Sequence, residues 1–108
     1  MIQNLGHLEE SVLLIVMIIP EAYGFSVTEA YEQQTGQRIS IPAVHTVLKR
    51  LEKKGMVKSH MGAATPERGG RRKRIYSPTP YGYKVVAGLR QHRLQLWSLI
   101  PKLGIQNG

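Results

Sequence analysis

The spacing of the apolar residues changes at Gly55, and this change constrains the fold more than any other feature of the chain. Before Gly55, apolar residues recur every three or four positions, which is the spacing of helices that bury one face. After Gly55 this helical spacing ends, and Met56, Val57, Ser59 and Met61 are interpreted as a short strand. Ile75 and Tyr76 lie in a partner strand, and the Pro and Gly residues between the strands predict a hairpin with a long tip.

Capping residues divide the first half of the chain into three helices. The first covers Leu8–Ile19 and is apolar around most of its circumference, which predicts a largely buried helix. The second begins at Ser26, because Ser26 and Glu29 have the spacing of a capping box, and it ends at Gly36. The third covers Ile41–Lys54 and follows after a short turn.

The third and fourth helices have clear start signals. Ser40 is the N-cap of the third helix, and Thr79 and Pro80 open a fourth helix after the hairpin. Four apolar residues at helical spacing in the third helix are predicted to face the core: Ile41, Val44, Leu48 and Leu51. The order helix, helix, helix, strand, strand, helix predicts a mainly α fold with a small β-hairpin, which is a winged helix-turn-helix followed by a C-terminal helix.

The charge is distributed unevenly along the chain. The formal net charge is +8, but residues 1–37 contain five Glu and no Lys or Arg. Residues 38–74 contain eleven Lys or Arg and two Glu, a net charge of +9. Such asymmetry indicates a surface that binds a polyanion, with a solubility surface as the alternative. Solvating charge is usually mixed in sign, which favours the polyanion.

Several classes of function are disfavoured by what the chain lacks. It has no Cys, and its four His have no paired spacing, so we expect neither a metal site nor a cofactor. It has no Gly-rich phosphate loop, paired carboxylates or nucleophile–base motif, so we do not expect an enzyme. The longest apolar run, residues 12–19, is too short to span a membrane, and we expect a cytoplasmic protein with no membrane partner.

Five segments between Leu8 and Leu99 carry a resemblance to a known family. They are Leu8-Glu9-Glu10 with Val12-Leu13-Leu14, Ala22-Tyr23-Gly24, Ser40-x-x-Ala43-Val44-x-Thr46-x-Leu48-x-Arg50-Leu51-Glu52-x-x-Gly55-Met56-Val57, Gly69-Gly70-Arg71-Arg72-Lys73-Arg74-x-Tyr76, and Thr79-Pro80-x-Gly82. In this order and spacing they resemble the PadR family of transcriptional regulators. The resemblance implies a dimeric winged-helix repressor of the short form, whose C-terminal part is one helix, with the helix from Ile41 in the DNA major groove.

The chain departs from the family pattern at three positions. His45 stands where Tyr is usual, Pro42 where Gly is common, and Pro78 where Leu is common. We expect His45 to face the DNA, so the first of these changes bears on the contacts with bases. None of the three changes the predicted fold.

In this interpretation the exposed side of the third helix contacts DNA bases and phosphates. The predicted contact residues are Ser40, Ala43, His45, Thr46, Lys49, Arg50 and Lys53. Ala43 and Thr46 suit a thymine methyl group, and Lys49 suits guanine acceptors. Three alternatives stay open: the Thr46 hydroxyl bonds its own backbone, His45 is a plain surface or phosphate-contacting residue, and Arg50 pairs with a carboxylate.

The hairpin tip supplies the second set of predicted DNA contacts, the wing. Its cations are Arg68, Arg71, Arg72, Lys73 and Arg74. Guanidinium groups suit phosphates or a narrow minor groove. The alternative is a solvated loop, and in the free protein we expect the tip to be disordered and to become ordered on DNA.

The last helix is predicted to mediate homodimerisation, because it has more apolar residues than an outer helix of a small domain needs. The predicted interface residues are Leu8, Val12, Leu89, Leu96, Trp97 and Ile100, with packing on its own domain as the alternative. Residues 1–78 are predicted to be the DNA-binding domain with its N-terminal helix, and residues 79–108 the dimerisation helix and tail, in one compact unit. Two-fold symmetry predicts a pseudo-palindromic operator with half-sites about 34–36 Å apart or a multiple.

Trp97 is also a candidate ligand-binding residue. In short proteins similar to this one, an aromatic residue on the terminal helix lines a cavity at the dimer axis, so the resemblance implies a small aromatic effector. The alternative is that Trp97 belongs to the interface core.

The sequence therefore predicts a sequence-specific regulator that binds double-stranded DNA, a homodimeric repressor relieved by a small hydrophobic ligand. The alternatives are a basic RNA-binding or ribosome-associated protein and a winged helix that serves only as a protein-interaction module. An RNA-binding protein should expose stacking aromatic residues on its strands, whereas Tyr76 is predicted to face inward.

Overall fold

A computed structural model describes residues 5–64, 66 and 69–102 of the chain. Its elements in chain order are α1 (His7–Ile18), α2 (Gly24–Thr35), α3 (Ile41–Lys53), β1 (Val57–Ala64), β2 (Arg72–Pro78) and α4 (Pro80–Ser98). This is the predicted order, and the fold class, a mainly α winged helix-turn-helix with a small β-hairpin, is confirmed.

The core lies between α1, α2 and α3 and is closed by the base of the hairpin and the start of α4. From α1 it takes Val12, Leu13, Ile15 and Val16, and from α3 it takes Val44, Val47, Leu48 and Leu51. The prediction that Ile41 faces the core is wrong, because Ile41 is 41% exposed. Val47 is buried instead, so the buried stripe of α3 begins one turn later than predicted.

The start of α2 also differs from the prediction. The helix begins at Gly24, two residues before Ser26, and Tyr23 is its N-cap. Ser26 therefore lies inside the first turn, where its Oγ accepts a hydrogen bond from the Tyr23 N–H at 3.0 Å and donates one to the Glu21 carbonyl at 2.8 Å. Ser26 thus satisfies the cap from within the helix, and the predicted box of Ser26 with Glu29 does not form.

The ends of α2 and α3 follow the sequence signals. Gly36 and Gly55 have φ angles of +72° and +78°, in the left-handed region that side-chain-bearing residues seldom adopt. At the start of α3, the Ser40 hydroxyl accepts the Ala43 N–H at 3.2 Å, as an N-cap does. These stops fix a turn of only five residues between α2 and α3.

The hairpin is antiparallel and is anchored at its base by a third segment. Ser59 pairs with Tyr76, and Met61 with Arg74. On the other side of β2, Ala22 forms an isolated bridge to Tyr76, whose N–H donates to the Ala22 carbonyl at 2.7 Å. Tyr76 is buried, as predicted. The link between α1 and α2 therefore lies along the base of the hairpin as a short edge strand.

The last helix is packed at its start and exposed at its end. Thr79 caps α4 by accepting the Gly82 N–H at 3.0 Å, and its hydroxyl donates to the Gly55 carbonyl at 2.7 Å. Val85 and Val86 are buried, whereas every residue of 91–100 is exposed. The structure measures 57 × 32 × 20 Å, because this half of α4 extends away from the core.

Among the described residues, no helix combines the length and the apolar character needed to cross a membrane.

Candidate nucleic-acid interface

The side of α3 opposite the core is exposed and basic. Pro42, Thr46, Lys49 and Lys53 follow one another along this side and are all exposed. The helix has 13 residues and is therefore about 20 Å long, which fits the DNA major groove. Within the described ranges, neither Lys49 nor Lys53 forms an ion pair, so both ammonium groups can bind an external anion.

The N-cap and the first two turns of α3 hold the predicted contacts Ser40, Ala43 and Thr46. Ser40 is exposed and Ala43 half-buried. The Thr46 hydroxyl donates to the Pro42 carbonyl at 3.1 Å, which is the self-bonded arrangement that the sequence left open. Since that bond uses the hydroxyl proton, Thr46 retains a methyl group and acceptor lone pairs for a ligand.

His45 lies against α2 and not on the outward side of α3. A Cβ atom on Gly24 would lie only 2.6 Å from the His45 Nε2, so the imidazole occupies the space that Gly24 leaves empty. His45 is half-buried there. The prediction that His45 faces the DNA does not match this placement, because position 45 borders the buried stripe of α3 on the side of α2.

The C-terminal end of α3 is fixed to the start of α1 through Glu9. The Lys54 ammonium donates to both carboxylate oxygens of Glu9 at 3.0 Å, and the Gly6 N–H donates to one of them at 3.1 Å. Burial alone would raise the pKa of Glu9, but these bonds and the charges of Lys54 and Arg50 outweigh it, and the pKa is lowered. Arg50 is thus an exposed cation near Glu9, and Lys54 is the one that pairs with it.

Arg72 and Arg74 lie on one face of β2, and Arg74 is linked to α3. Successive side chains of a strand point to opposite faces, so both share the face of the buried Tyr76. Arg74 Nη1 donates to the Ser59 Oγ at 3.1 Å, and the Ser59 hydroxyl donates to Glu52 of α3 at 2.7 Å. This chain of hydrogen bonds connects Arg74 of β2 to α3.

Toward the tip of the hairpin, the described wing residues lie at the surface. Arg72 is exposed, with its Nε donating to the Gly62 carbonyl at 3.1 Å, and Arg71 is also exposed. Arg68 lies outside the described residues.

Lys73 departs from the prediction that it is a DNA-contacting residue of the wing. It is only 8% exposed, forms an ion pair with Glu21, and its Nζ lies 4.5 Å from the centre of the Tyr23 ring. Alternation along β2 places Lys73 on the face opposite Arg72 and Arg74, and the link between α1 and α2 covers that face. The sequence offered no local signal for this contact.

Tyr76 stays neutral at the base of the hairpin. Burial raises the pKa of its hydroxyl, the negative charge of Glu52 raises it further, and Arg74 opposes both effects.

The predicted dimer-interface residues fall into three groups. Val12 has no exposed surface and belongs to the core of its own chain, so it cannot contact a second chain as predicted. Leu8 and Leu89 are half-buried against that core. Leu96, Trp97 and Ile100 are exposed, with Trp97 at 70%.

An apolar groove lies between α1 and α4 and was not predicted from the sequence. It has a volume of about 750 Å³, and its apolar lining includes Leu14, Met17, Val86 and Leu94. The signal was present in the sequence, since the first helix is apolar around more of its circumference than one buried face requires. At the groove, Arg93 donates to Glu10 at 3.1 Å and ties the two helices together.

No three His, Cys, Asp or Glu side chains lie close enough to hold a metal ion in the part of the chain that the structure describes.

Comparison with solved structures supports the fold. A PadR-like transcriptional regulator from Bacillus cereus is 19% identical and superposes with a TM-score of 0.67, covering 84% of each chain. A PadR family regulator from Clostridium difficile R20291 is 18% identical, with a TM-score of 0.67 over 87% of this chain and 94% of the other. The hsRosR-S1 complex is 19% identical, with a TM-score of 0.72 over 89% and 79%. At these identities the likeness shows the fold alone.

The family is established by sequence. No curated protein matches the chain. The sequence profile of the transcriptional regulator PadR-like family matches residues 12–92, which is most of the chain and includes the third helix and the hairpin. The chain therefore belongs to the PadR-like family of transcriptional regulators.

Proposed function

We propose that this regulator is a homodimeric repressor that binds double-stranded DNA in a sequence-specific manner. The observation that carries the proposal is a pair of exposed basic surfaces, Lys49 and Lys53 on α3 and Arg72 and Arg74 on one face of β2. Arg74 joins the two surfaces through its hydrogen bond to Ser59, which bonds Glu52 of α3. Phosphates flank the major groove on both sides, so a helix in the groove and a neighbouring basic hairpin bind the same duplex.

On α3 the proposed roles follow from exposure. Thr46 and Ala43 lie near the N-terminal end of the helix, where small apolar groups suit a thymine methyl group. Lys49 reaches guanine acceptors, and Lys53 binds a phosphate. Ser40 keeps its cap, and its hydroxyl proton remains for a phosphate oxygen. The inward placement of His45 removes it from the proposed set.

On the hairpin, Arg71, Arg72 and Arg74 are the proposed contacts. All three are exposed, and guanidinium groups pair with phosphate oxygens in a bidentate manner. Lys73 is not among them, because Glu21 neutralises it in a buried position. Arg68 keeps its predicted role as a wing contact.

The proposed dimer rests on apolar surface that one chain leaves exposed. Leu14 and Ile18 of α1 are 41% and 65% exposed, and they lie on the helix that borders the groove. The exposed half of α4 adds Leu96, Trp97 and Ile100. A second copy of the chain covers these surfaces, because contiguous apolar area of this kind marks a protein interface. The two-fold axis then gives a pseudo-palindromic operator.

A small aromatic effector remains part of the proposal through Trp97. Its ring is free of its own core, so a partner chain or a planar ligand stacks against it. Titration of Trp fluorescence with planar aromatic compounds tests this part, and the absence of any saturable change would count against it.

The test of DNA binding is selection from random duplex DNA with the purified full-length chain, repeated at two salt concentrations. We expect a pseudo-palindrome to be enriched and the affinity to fall steeply with salt, as for roughly 6–10 phosphate contacts. Binding that ignores sequence, or a preference for RNA over duplex DNA, contradicts the proposal.

A matched pair of variants locates the surface. Lys53→Ala should weaken binding to all duplex sequences and lower the salt slope by about 1. Lys84→Ala removes the same charge from an exposed position on α4, outside the proposed surface, and should leave the slope unchanged. Equal effects of the two substitutions would show that net charge, and not α3, determines binding.

A further inference from the structure

We infer that Glu21 and Lys73 are positioning residues that hold the hairpin in its DNA-binding orientation without contacting DNA. The inference rests on the proposed DNA-binding function and adds a role that neither residue's type predicts. Glu21 is acidic, yet in this role it strengthens binding to a polyanion. Lys73 is a cation of the wing, yet it makes no direct contact with DNA.

The burial of Lys73 is the first observation. Among the described residues, it is the only charged residue that is buried. An ammonium group is strongly destabilised by loss of water unless an opposite charge compensates it. Glu21 supplies that charge, and the ring of Tyr23 lies 4.5 Å from the Lys73 Nζ in a cation–π arrangement. The position of Lys73 is therefore specified by two independent partners.

The partners belong to one short segment that is itself fixed. Glu21, Ala22 and Tyr23 are consecutive, and all three contact β2: by the ion pair, by the bridge to Tyr76 and by the aromatic ring. The Ser26 hydroxyl holds the Glu21 carbonyl at 2.8 Å and so ties the segment to α2. The hairpin is thereby joined to the helical body at its base.

The orientation of the outward cations depends on this junction. Arg72 and Arg74 flank Lys73, so they must point to the opposite face of β2 while Lys73 points toward Glu21. A strand that rotates or slips by one residue exchanges its two faces. Loss of the Glu21–Lys73 pair therefore lets the basic face turn away from α3 and from the proposed duplex.

The direction in which Glu21→Gln changes the affinity for DNA separates a positioning role from an effect of charge alone. Glu21→Gln removes a negative charge from a half-exposed side chain. If charge alone mattered, the affinity for DNA would rise. The positioning role requires that the affinity fall, by about 2- to 30-fold, the range for substitutions that act on a site without contacting the ligand. Glu29→Gln is the matched control, because Glu29 is an exposed glutamate of α2 away from the hairpin.

The experiment measures binding of the full-length chain to its selected duplex by fluorescence anisotropy. Glu21→Gln and Lys73→Met should each lower the affinity for DNA. The affinity of the double variant should be no lower than that of the single variant with the larger loss. The charge-exchanged pair, Glu21→Lys with Lys73→Glu, has the net charge of the parent chain and should recover part of the affinity. Hydrogen exchange without DNA should show faster exchange of β2 amides in both single variants and unchanged protection of α3.

Three outcomes overturn the inference while the parent chain binds its operator: Glu21→Gln binds as tightly as Glu29→Gln, the two substitutions are additive, or the charge-exchanged pair binds no better than the single variants. Failure of the parent chain to select any duplex instead overturns the proposed function. Should Lys73→Met fail to fold, Glu21→Gln and the charge-exchanged pair still decide the question.

Discussion

Replacing Gly82 with alanine tests how closely α4 packs against the link between α3 and β1. Gly82 is buried in the first turn of α4. A Cβ atom at this position would lie 2.2 Å from the carbonyl oxygen of Met56 and 3.0 Å from its carbonyl carbon. These are backbone atoms, so no change of rotamer removes the overlap. The two backbone segments themselves have to separate.

The cost follows from the distance and from the bonds that hold the segments together. Non-bonded atoms pack at about 3.5 Å, so relief of the 2.2 Å contact needs a separation of roughly 1.3 Å. Overpacking of this kind costs about 1–3 kcal/mol. The movement also weakens the bonds from Thr79 to the carbonyls of Met56 and Gly55, at 3.1 and 2.7 Å, worth about 1 kcal/mol each. Alanine's helix propensity returns at most about 1 kcal/mol, which leaves a net destabilisation of about 2–4 kcal/mol.

The assay is urea unfolding followed by far-UV circular dichroism, with all variants at one protein concentration because an oligomer's stability depends on it. Gly88→Ala is the control on the same helix. No atom lies within 4 Å of the Cβ that it would introduce, so it should stabilise the chain by up to about 1 kcal/mol. The reasoning is refuted if Gly82→Ala is as stable as the parent chain or if both substitutions shift the midpoint in the same direction.

Three further predictions concern the core, an ion pair and the exposed end of α4. Leu48→Ala should destabilise the fold by about 2–5 kcal/mol and Ile41→Ala by clearly less, since Leu48 has no exposed surface and Ile41 is 41% exposed; equal losses in urea unfolding would contradict this. Because the pKa of Glu9 is lowered, its charged carboxylate stabilises the fold above the ordinary glutamate pKa, and this stabilisation is lost as the pH falls through the lowered value. The difference in unfolding free energy between the parent chain and Glu9→Gln should therefore shrink below about pH 4, and a difference that grows there would contradict the reasoning. Trp97→Ala should weaken the proposed dimer in sedimentation experiments while leaving helix content intact, and an unchanged dimer constant would exclude Trp97 from the interface.

The element order could be predicted because its signals are local. The N-cap at Ser40 and the stops at Gly36 and Gly55 act within a few residues, and each is present where the sequence placed it. The family and its regulatory, non-enzymatic class were likewise carried by motifs in sequence order. The start of α2 was misplaced because Ser26 fits two cap geometries. The observed geometry is the one in which the Ser26 hydroxyl bonds the Glu21 carbonyl. That bond depends on the path of the chain after α1.

The positive charge of the candidate site could be predicted from the sequence, but the directions in which its side chains point could not. The run of cations in β2 contains no apolar residue that would reveal which side chains point inward. Lys73 is buried because the segment around Glu21 covers that face, and this segment lies about fifty residues away in sequence. His45 turns inward for a similar reason, since only the absence of a side chain at Gly24 makes room for the imidazole. Both placements depend on tertiary neighbours, which residue type and spacing do not specify.

The apolar surface of α1 is larger than the core of one chain covers. Val12 and Leu13 are fully buried in the core of their own chain, whereas Leu14 and Ile18 on the same helix remain exposed. A single exposed leucine needs no explanation, but Leu14 adjoins a groove whose other wall is α4. The hydrophobic effect has no direction, so a helix that is apolar all round indicates burial without indicating by which chain. The property that predicted one buried helix is therefore divided between two surfaces, the core of this chain and the face proposed for its second copy.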